Sequence, residues 1–417
     1  MSHAAKTFAE KILGARVGRP VSAGEIVTVQ PDHVMSHDNT AAIARLFRTL
    51  GVQRVWDPGR LAVVLDQCVP ASSERHAQNH KEVRELVAEQ GITHFFDVHR
   101  GVCHQVLVEE GLALPGRLIL GADSHATTYG ALGAFATGIG ASEMAALWAT
   151  GETWLKVPAT LRIDVSGELP PAVGPKDLAL ALLRRLGPEG ALYQAVEYCG
   201  GAVRRMSVGG RMTLCNMSVE LGAKIGYVEP DGVTLRYLSR RAAVGFELVQ
   251  SDGEALYEAA LLLEVSQLAP QVARPVHGVV DVTDVAGQPI HQALLGTCTN
   301  GRVEDLFAAA SRLRGKRVHP RVRLLVFPAS SEVYTEALRL GLLADLAASG
   351  AIIMNPGCGP CLGVHQGVLA PGEVCISTGS RNFQGRMGSR EAEIYLASPD
   401  TVAASAHAGC IADPRET

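Results

Sequence analysis

Short apolar and β-branched runs alternate with helix-patterned stretches through most of this chain, a rhythm that restricts it to parallel sheets with helices packed on their faces. LAVVLD at 61–66, THFFDV at 93–98 and RLILGAD at 117–123 are the first strand runs. GALGAFATGIGASEMAALWATG at 130–151 reads as a buried helix, because Glu143 and its small residues set it apart from the roughly 18 uncharged apolar residues of a membrane span. After Trp154 the character changes. VPATLRIDVSGELP (157–170) alternates like the edge of a strand pair, and Pro175, Lys176 and Asp177 open a helix that Gly187 closes. SQLAPQVARPVHG (266–278) reads as a loose connector to a further series: LLGTC at 294–298, a helix over 303–315, VRLLVFP at 322–328, one helix over 331–350, then AIIMNPG and EVCIST. The expected fold class is therefore α/β, with domains over 1–161, 162–279 and 280–417.

At 417 residues the chain is too long for one ordinary core, which agrees with several domains. A net charge of −4 without a lysine or arginine run argues against a nucleic-acid partner. The N-terminal stretch MSHAAKTFAEKILGARVGRP mixes charges into a short amphipathic segment and lacks the unbroken apolar centre of an export signal. A cytoplasmic location is expected, with no membrane partner. In that compartment the nine cysteines stay reduced, and grouped ones serve more often as metal ligands than as disulfides.

The strongest local signal is NPGCGPCLGVHQG (355–367), a Cys-x-x-Cys pair in a glycine- and proline-rich turn after a strand. Three chemistries suit it: zinc on Cys358, Cys361, His365 and Cys298; thiol redox exchange; or an iron-sulfur cluster. Two buried thiols without metal are the plain alternative. GTCTNGRVEDL (296–306) sets a further cysteine, Cys298, at a strand-to-helix turn, so that three thiolates converge from two strand ends. Electron-transfer clusters generally take four cysteines, so a three-cysteine set leaves one iron open as a Lewis acid. GADSHATTYGALGAFATGIG (121–140) ends a strand on Asp123, Ser124 and His125, either a capped turn or an acid-base group. RNFQGRMG (381–388) offers Arg381 and Arg386, either surface residues or a fork for carboxylates.

The ordered set GADSHATTYGA, GTCTNGRVEDL, NPGCGPCLG and RNFQGR resembles the aconitase superfamily, nearest in wording to the large subunits of homoaconitase and 3-isopropylmalate dehydratase. The likeness spans essentially the whole chain, from EKILGARVGRPVSAGEIV to AEIYLASPDTVAASAHAGCI. It implies three α/β domains of aconitase type around a [4Fe-4S] cleft, without the swivelling fourth domain. It implies Cys298, Cys358 and Cys361 as cluster ligands with Asn300 beside the first. Asp123, Ser124 and His125 match the active-site Asp-Ser-His, and His104 a histidine paired with the aspartate. Asn216 matches an asparagine near the cluster, Glu220 a glutamate assisting the hydroxyl, and Arg381 and Arg386 substrate-carboxylate clamps.

Two positions depart from the pattern. VVLDQCVP has Gln67 where the family carries the histidine that, with Asp66, protonates the leaving hydroxyl; Asp66 alone, His76 or His80 are the candidates to compensate. Ser380 stands where an asparagine is usual. The implied reaction is reversible dehydration and rehydration of a small-molecule hydroxy-acid substrate, a 2- or 3-hydroxy di- or tricarboxylate, in amino-acid biosynthesis. A small subunit is expected to supply the swivelling domain, since no segment for it follows the last helix pattern. Two alternatives are a diverged dehydratase for an unusual malate in secondary metabolism and a non-catalytic iron sensor that binds RNA, the latter opposed by the missing basic stripe.

Overall fold

A computed structural model describes residues 5–276 and 278–416, so Met1 to Ala4 of the N-terminal stretch, His277 and Thr417 lie outside the described residues. Its strands form four sheets. The first has five parallel strands in the order His94–Phe96, Leu61–Val64, His33–Ser36, Leu118–Gly121, Phe135–Gly138. The second has four parallel strands, Ile225–Val228, Ala195–Cys199, Thr160–Ser166 and Ala259–Glu264. The third has seven, in the order Gly278–Asp281, Gln271–Arg274, Glu393–Leu396, Val374–Ser377, Gln292–Gly296, Arg323–Phe327, Ile352–Ile353. Gln271–Arg274 runs antiparallel to both of its neighbours, and the pairings among the last five strands are parallel. A two-stranded antiparallel ribbon pairs Ile26–Val29 with Thr153–Lys156. One apolar core runs without interruption through Met35 and Leu107 of the first layer, Ile163 and Leu214 of the second and Leu294 of the third. No helix among the described residues is long and apolar enough to cross a membrane.

The α/β class and most strand runs agree with the sequence reading, and four local expectations change. The stretch 130–151 is not one helix: it holds the end of a 3-10 helix (Ser124–Leu132), the strand Phe135–Gly138 and the helix Ala141–Thr150. Gly133, with φ +82°, ends the first piece, and Gly140 starts the last, its N–H capped by Glu143 Oε2 at 2.7 Å. Thr160–Ser166 lies inside its sheet, paired on both sides, and not at an edge. The supposed connector 266–278 contains the strand Gln271–Arg274, whose ladder is anchored by Gln271 N donating to the buried Asp177 at 2.9 Å. The stretch 331–350 is two helices, Ser331–Arg339 and Leu342–Ser349, broken at Gly341 with φ +76°.

The parallel order decides where chemistry collects. Each strand delivers the next residues to its carboxyl end: His37 and Asp38 after the third strand of the first sheet, Asp66 after the second, Asp123 to His125 after the fourth. Gln292–Gly296 and Val374–Ser377 do the same for Cys298 and Arg381 in the third sheet. The 3-10 helix after Asp123 lies directly on the strand Ile225–Val228: a Cβ on Gly130 would stand 1.7 Å from the carbonyl oxygen of Gly226. Neither backbone can yield without parting the first two sheets. Gly130→Ala should therefore lower stability by about 3 kcal/mol or prevent folding, the upper range of overpacking costs. Gly174→Ala, where a Cβ meets nothing within 4 Å, should leave the denaturation midpoint nearly unchanged.

Candidate active site

Asp123 caps the 3-10 helix, accepting the backbone N–H of His125 at 2.8 Å, and its Oδ1 also accepts from His104 Nε2 at 2.9 Å. An ionised carboxylate only accepts, so His104 carries its proton on Nε2. His125 points Nε2 at Glu220 Oε1 (3.1 Å), and Arg381 reaches the same oxygen with Nε (2.8 Å) while donating Nη2 to Ser124 Oγ (3.0 Å). The result is one chain of contacts, His104, Asp123, His125, Glu220, Arg381, drawn from all three sheets' surroundings.

The electrostatics follow from burial set against partners. Burial opposes ionisation of Asp123, but His104 and His125 outweigh it and hold its carboxyl well below the usual range. For His125, burial disfavours the imidazolium, yet Asp123 and Glu220 on either side raise its pKa. Glu220 is lowered in spite of burial by His125 and Arg381. His104 is driven down chiefly by burial and stays neutral. The two imidazoles are thus biased in opposite directions, His125 toward its charged form and His104 toward its neutral form.

Cys298 follows a strained turn, with Gly296 at φ +141° and Thr297 at φ +67°, and Arg302 braces that turn by donating to the carbonyls of Cys298 (2.9 Å) and Thr299 (2.7 Å). Donors face the sulfurs: Asn216 Nδ2 lies 3.4 Å from Cys298 Sγ and Arg386 Nη2 3.5 Å from Cys361 Sγ. Cys358 is fixed through its N–H to the carbonyl of Asp66 at 2.8 Å. Burial pushes Cys298 up to about 12, and the charges of Cys298, Cys358 and Cys361 act on one another, so the three form one group. The cysteines are free thiols. Among the described residues, the ligand atoms of His104, Asp123 and His125 lie within 4.8 Å of one another, as do those of His37, Asp38 and Asp66. His365, the fourth ligand of the zinc reading, binds the carbonyl of Pro70 through Nε2 at 2.7 Å. Asn300 turns its amide to Asp305 (2.8 Å) and Thr213 (3.3 Å) behind the cysteine turn.

Around Gln67 two residues emerge that sequence reading passed over. Asp38 accepts the N–H groups of Asp66, Gln67 and Cys68 at 2.8, 2.8 and 3.1 Å, and His80 Nε2 at 2.9 Å. His80 is thus held on Asp38, and His76 is bonded to Ser72 Oγ. His37, in contrast, has Nε2 3.8 Å from Asp123 Oδ2. Asp66 accepts Cys103 N–H at 2.8 Å on Oδ2, while Oδ1 is buried without a partner. Burial raises it to about 7, with Asp38 adding to the effect against His37. The missed signal was His-Asp at the end of HVMS, a run too short and polar to read as a strand. Ser380 Oγ, at the other departure, is buried and unpartnered.

Asp66 gives a pH prediction. Its folded pKa, about 7, exceeds the ordinary 3.8, so the folded chain keeps a proton that the unfolded chain releases. The associated stability is present below about pH 4 and is lost as pH rises through about 7. Asp66→Asn imitates the neutral form, placing an NH₂ where Oδ1 has no donor to meet. Denaturant titrations of the metal-free chain should show the variant gaining on wild type from pH 5 to pH 8, and parallel curves would contradict the assignment.

The profile of the family described as "Aconitase family (aconitate hydratase)" matches residues 10–285 and 278–409. The chain is 54% identical over 413 residues to a protein of Methanopyrus kandleri named 3-isopropylmalate dehydratase large subunit 1, covering 98% of this chain and 99% of that one. It is 49% identical over 416 residues to the homoaconitase large subunit of Thermus thermophilus, covering 99% and 98%. A probable methanogen homoaconitase large subunit of Methanosarcina mazei is 50% identical over 388 residues, covering 92% and 98%.

Proposed function

This chain belongs to the aconitase family, and from that premise we propose that it is the large subunit of a hydro-lyase that dehydrates and rehydrates an isopropylmalate- or homoaconitate-type hydroxy acid in the cytoplasm. Relatives named large subunits are matched over nearly their whole length, which supports a separate small subunit as partner. The family implies an iron-sulfur cluster. The observation that carries the reading is the set of three free cysteines at two strand ends, with N–H donors of Asn216 and Arg386 facing two of the sulfurs and His365, the fourth ligand a zinc site would need, bound to the Pro70 carbonyl. Cys298, Cys358 and Cys361 would hold it as thiolates, releasing protons on binding. When bound, a three-cysteine [4Fe-4S] cluster supplies an open iron as Lewis acid toward a hydroxyl and carboxylate.

The remaining steps fall to side chains. Arg381, oriented by Glu220 and Ser124, and Arg386, beside Cys361, receive substrate carboxylates with forked guanidinium groups. Asn216 orients Cys298 and holds Thr128 at 2.9 Å. His125, biased toward its charged form between Asp123 and Glu220, and His104, biased toward its neutral form by burial, provide the donor and acceptor that proton transfer to and from water requires. Asp66 retains its proton to near neutrality and takes the place of the acid that Gln67 cannot be, with His37 close by. Gln67 and Ser380 favour, as a second reading, the same chemistry on an unusual malate.

Anaerobic reconstitution followed by iron, sulfide and zinc analysis tests the cofactor. We expect iron and sulfide with one labile iron, and loss of the brown chromophore in each of Cys298→Ala, Cys358→Ala and Cys361→Ala; zinc in place of iron would defeat the proposal. With the small subunit present, Asp66→Ala should lower kcat by about 10²–10⁴, the range of a lost general acid, while Gln67→His changes it by less than about tenfold. A larger gain in the histidine variant would mean that Asp66 does not serve as the acid.

A further inference from the structure

Lys176 is completely buried, a rare state for lysine, and none of the residues assigned above includes it. It stands in the first turn of the helix Pro175–Leu186, where the helix dipole is unfavourable to a cation. Its Nζ donates to the carbonyls of Thr378, at 3.2 Å, and Gly379, and lies 3.5 Å from Met217 Sδ. Among the described residues no carboxylate forms an ion pair with it. The adjacent Asp177 is turned away, its oxygens accepting the N–H groups of Gly174 and Gln271 at 2.8 and 2.9 Å.

A buried ammonium without a counter-ion is costly enough that its site must offer an anion or the proton leaves. Burial pulls the Lys176 ammonium down to about 8, and the charges of Cys298, Glu220, Asp177 and Cys361, in that order, work against the fall. Glu220 already answers His125 and Arg381. The two cysteines are neutral as thiols and become anions when they ligate a metal. The carbonyls that Lys176 grips also belong to the turn between the strand Val374–Ser377 and Arg381, and Thr378 Oγ1 ties that turn to Gly296, just before Cys298.

We propose that Lys176 is a positioning residue for the cluster: its ammonium is the buried counter-charge of the Cys298 and Cys361 thiolates, and it locks the turn from which Arg381 reaches the substrate. The inference rests on the cluster reading given above. It accounts for a lysine at a position where an apolar side chain would bury more cheaply.

The test uses reconstituted full-length chain as wild type, Lys176→Gln, Lys176→Met and Lys176→Arg. Gln keeps a donor for the two carbonyls without the charge, Met removes both, and Arg keeps both. The readouts are the midpoint potential of the cluster, by electron-spin-resonance titration, and the rate of iron loss to a chelator. Both neutral variants should move to lower potential and lose iron several-fold faster, since a positive charge near the cluster favours its reduced form and its thiolates; Arg should restore the wild-type values. If Met does not fold, Gln decides alone. A Lys176→Gln protein with wild-type potential and iron retention overturns the counter-charge, whereas wild type that takes up no iron-sulfur cluster overturns the cluster reading and this one with it.

Discussion

Asp123 has to remain ionised while mostly buried, and much of the molecule is arranged around that requirement. Its position follows from the parallel sheet, which leaves the residue at a carboxyl end, and its charge from the imidazoles of His104 and His125. His104 arrives on the helix Cys103–Glu109, whose first N–H is held by Asp66 from the neighbouring strand. His125 is poised by the 3-10 helix, which is pressed on Gly226 of the second sheet. One carboxylate thus ties two strand ends of the first sheet to the packing against the second, and biases both imidazoles toward their charged forms against burial.

The site concentrates opposed charges inside a low-polarity core, and the balance is local. Arg381 and His125 share Glu220; Arg302 answers backbone carbonyls behind Cys298; Lys176 answers carbonyls beside Thr378. The ion pairs of Glu220 with His125 and Arg381 add little net stability, because desolvation offsets their attraction, and what they impose is geometry and ionisation state. That fits a cleft meant to receive a di- or tricarboxylate: its cations are fixed before the ligand arrives, so little reorganisation is needed on binding.

What could be read from sequence follows from the range of each signal. Cys358 and Cys361 announce themselves by spacing, and Asp123 to His125 by lying after a clear strand run. His37 and Asp38 do not, because HVMS has neither the length nor the β-branched pattern of a strand and gains its place only by pairing on both sides. Lys176 read as part of a helix start, since burial depends on the third sheet arriving over it. The same long-range pairing turned the supposed connector at 266–278 into the strand Gln271–Arg274. Local runs bounded by glycine, such as Phe135–Gly138, were hidden for the opposite reason: small residues on both sides made a helix pattern that only the sheet resolves.

The contact between Asp38 and the turn at 66–68 bears on why Gln67 can stand where an acid is usual. Three consecutive N–H groups bind the two oxygens of one carboxylate, itself held by His80, so the turn keeps its shape through backbone contacts that do not involve the side chain at 67. Exchanging that side chain therefore leaves Asp66 facing Cys103 and the carbonyl of Asp66 fixed on Cys358. Asp38 also adds a negative charge beside Asp66, which helps keep the proton on Asp66. A single structural carboxylate thereby does two things at once: it holds the turn without the side chain at 67, and its charge adds to the burial that raises the pKa of Asp66.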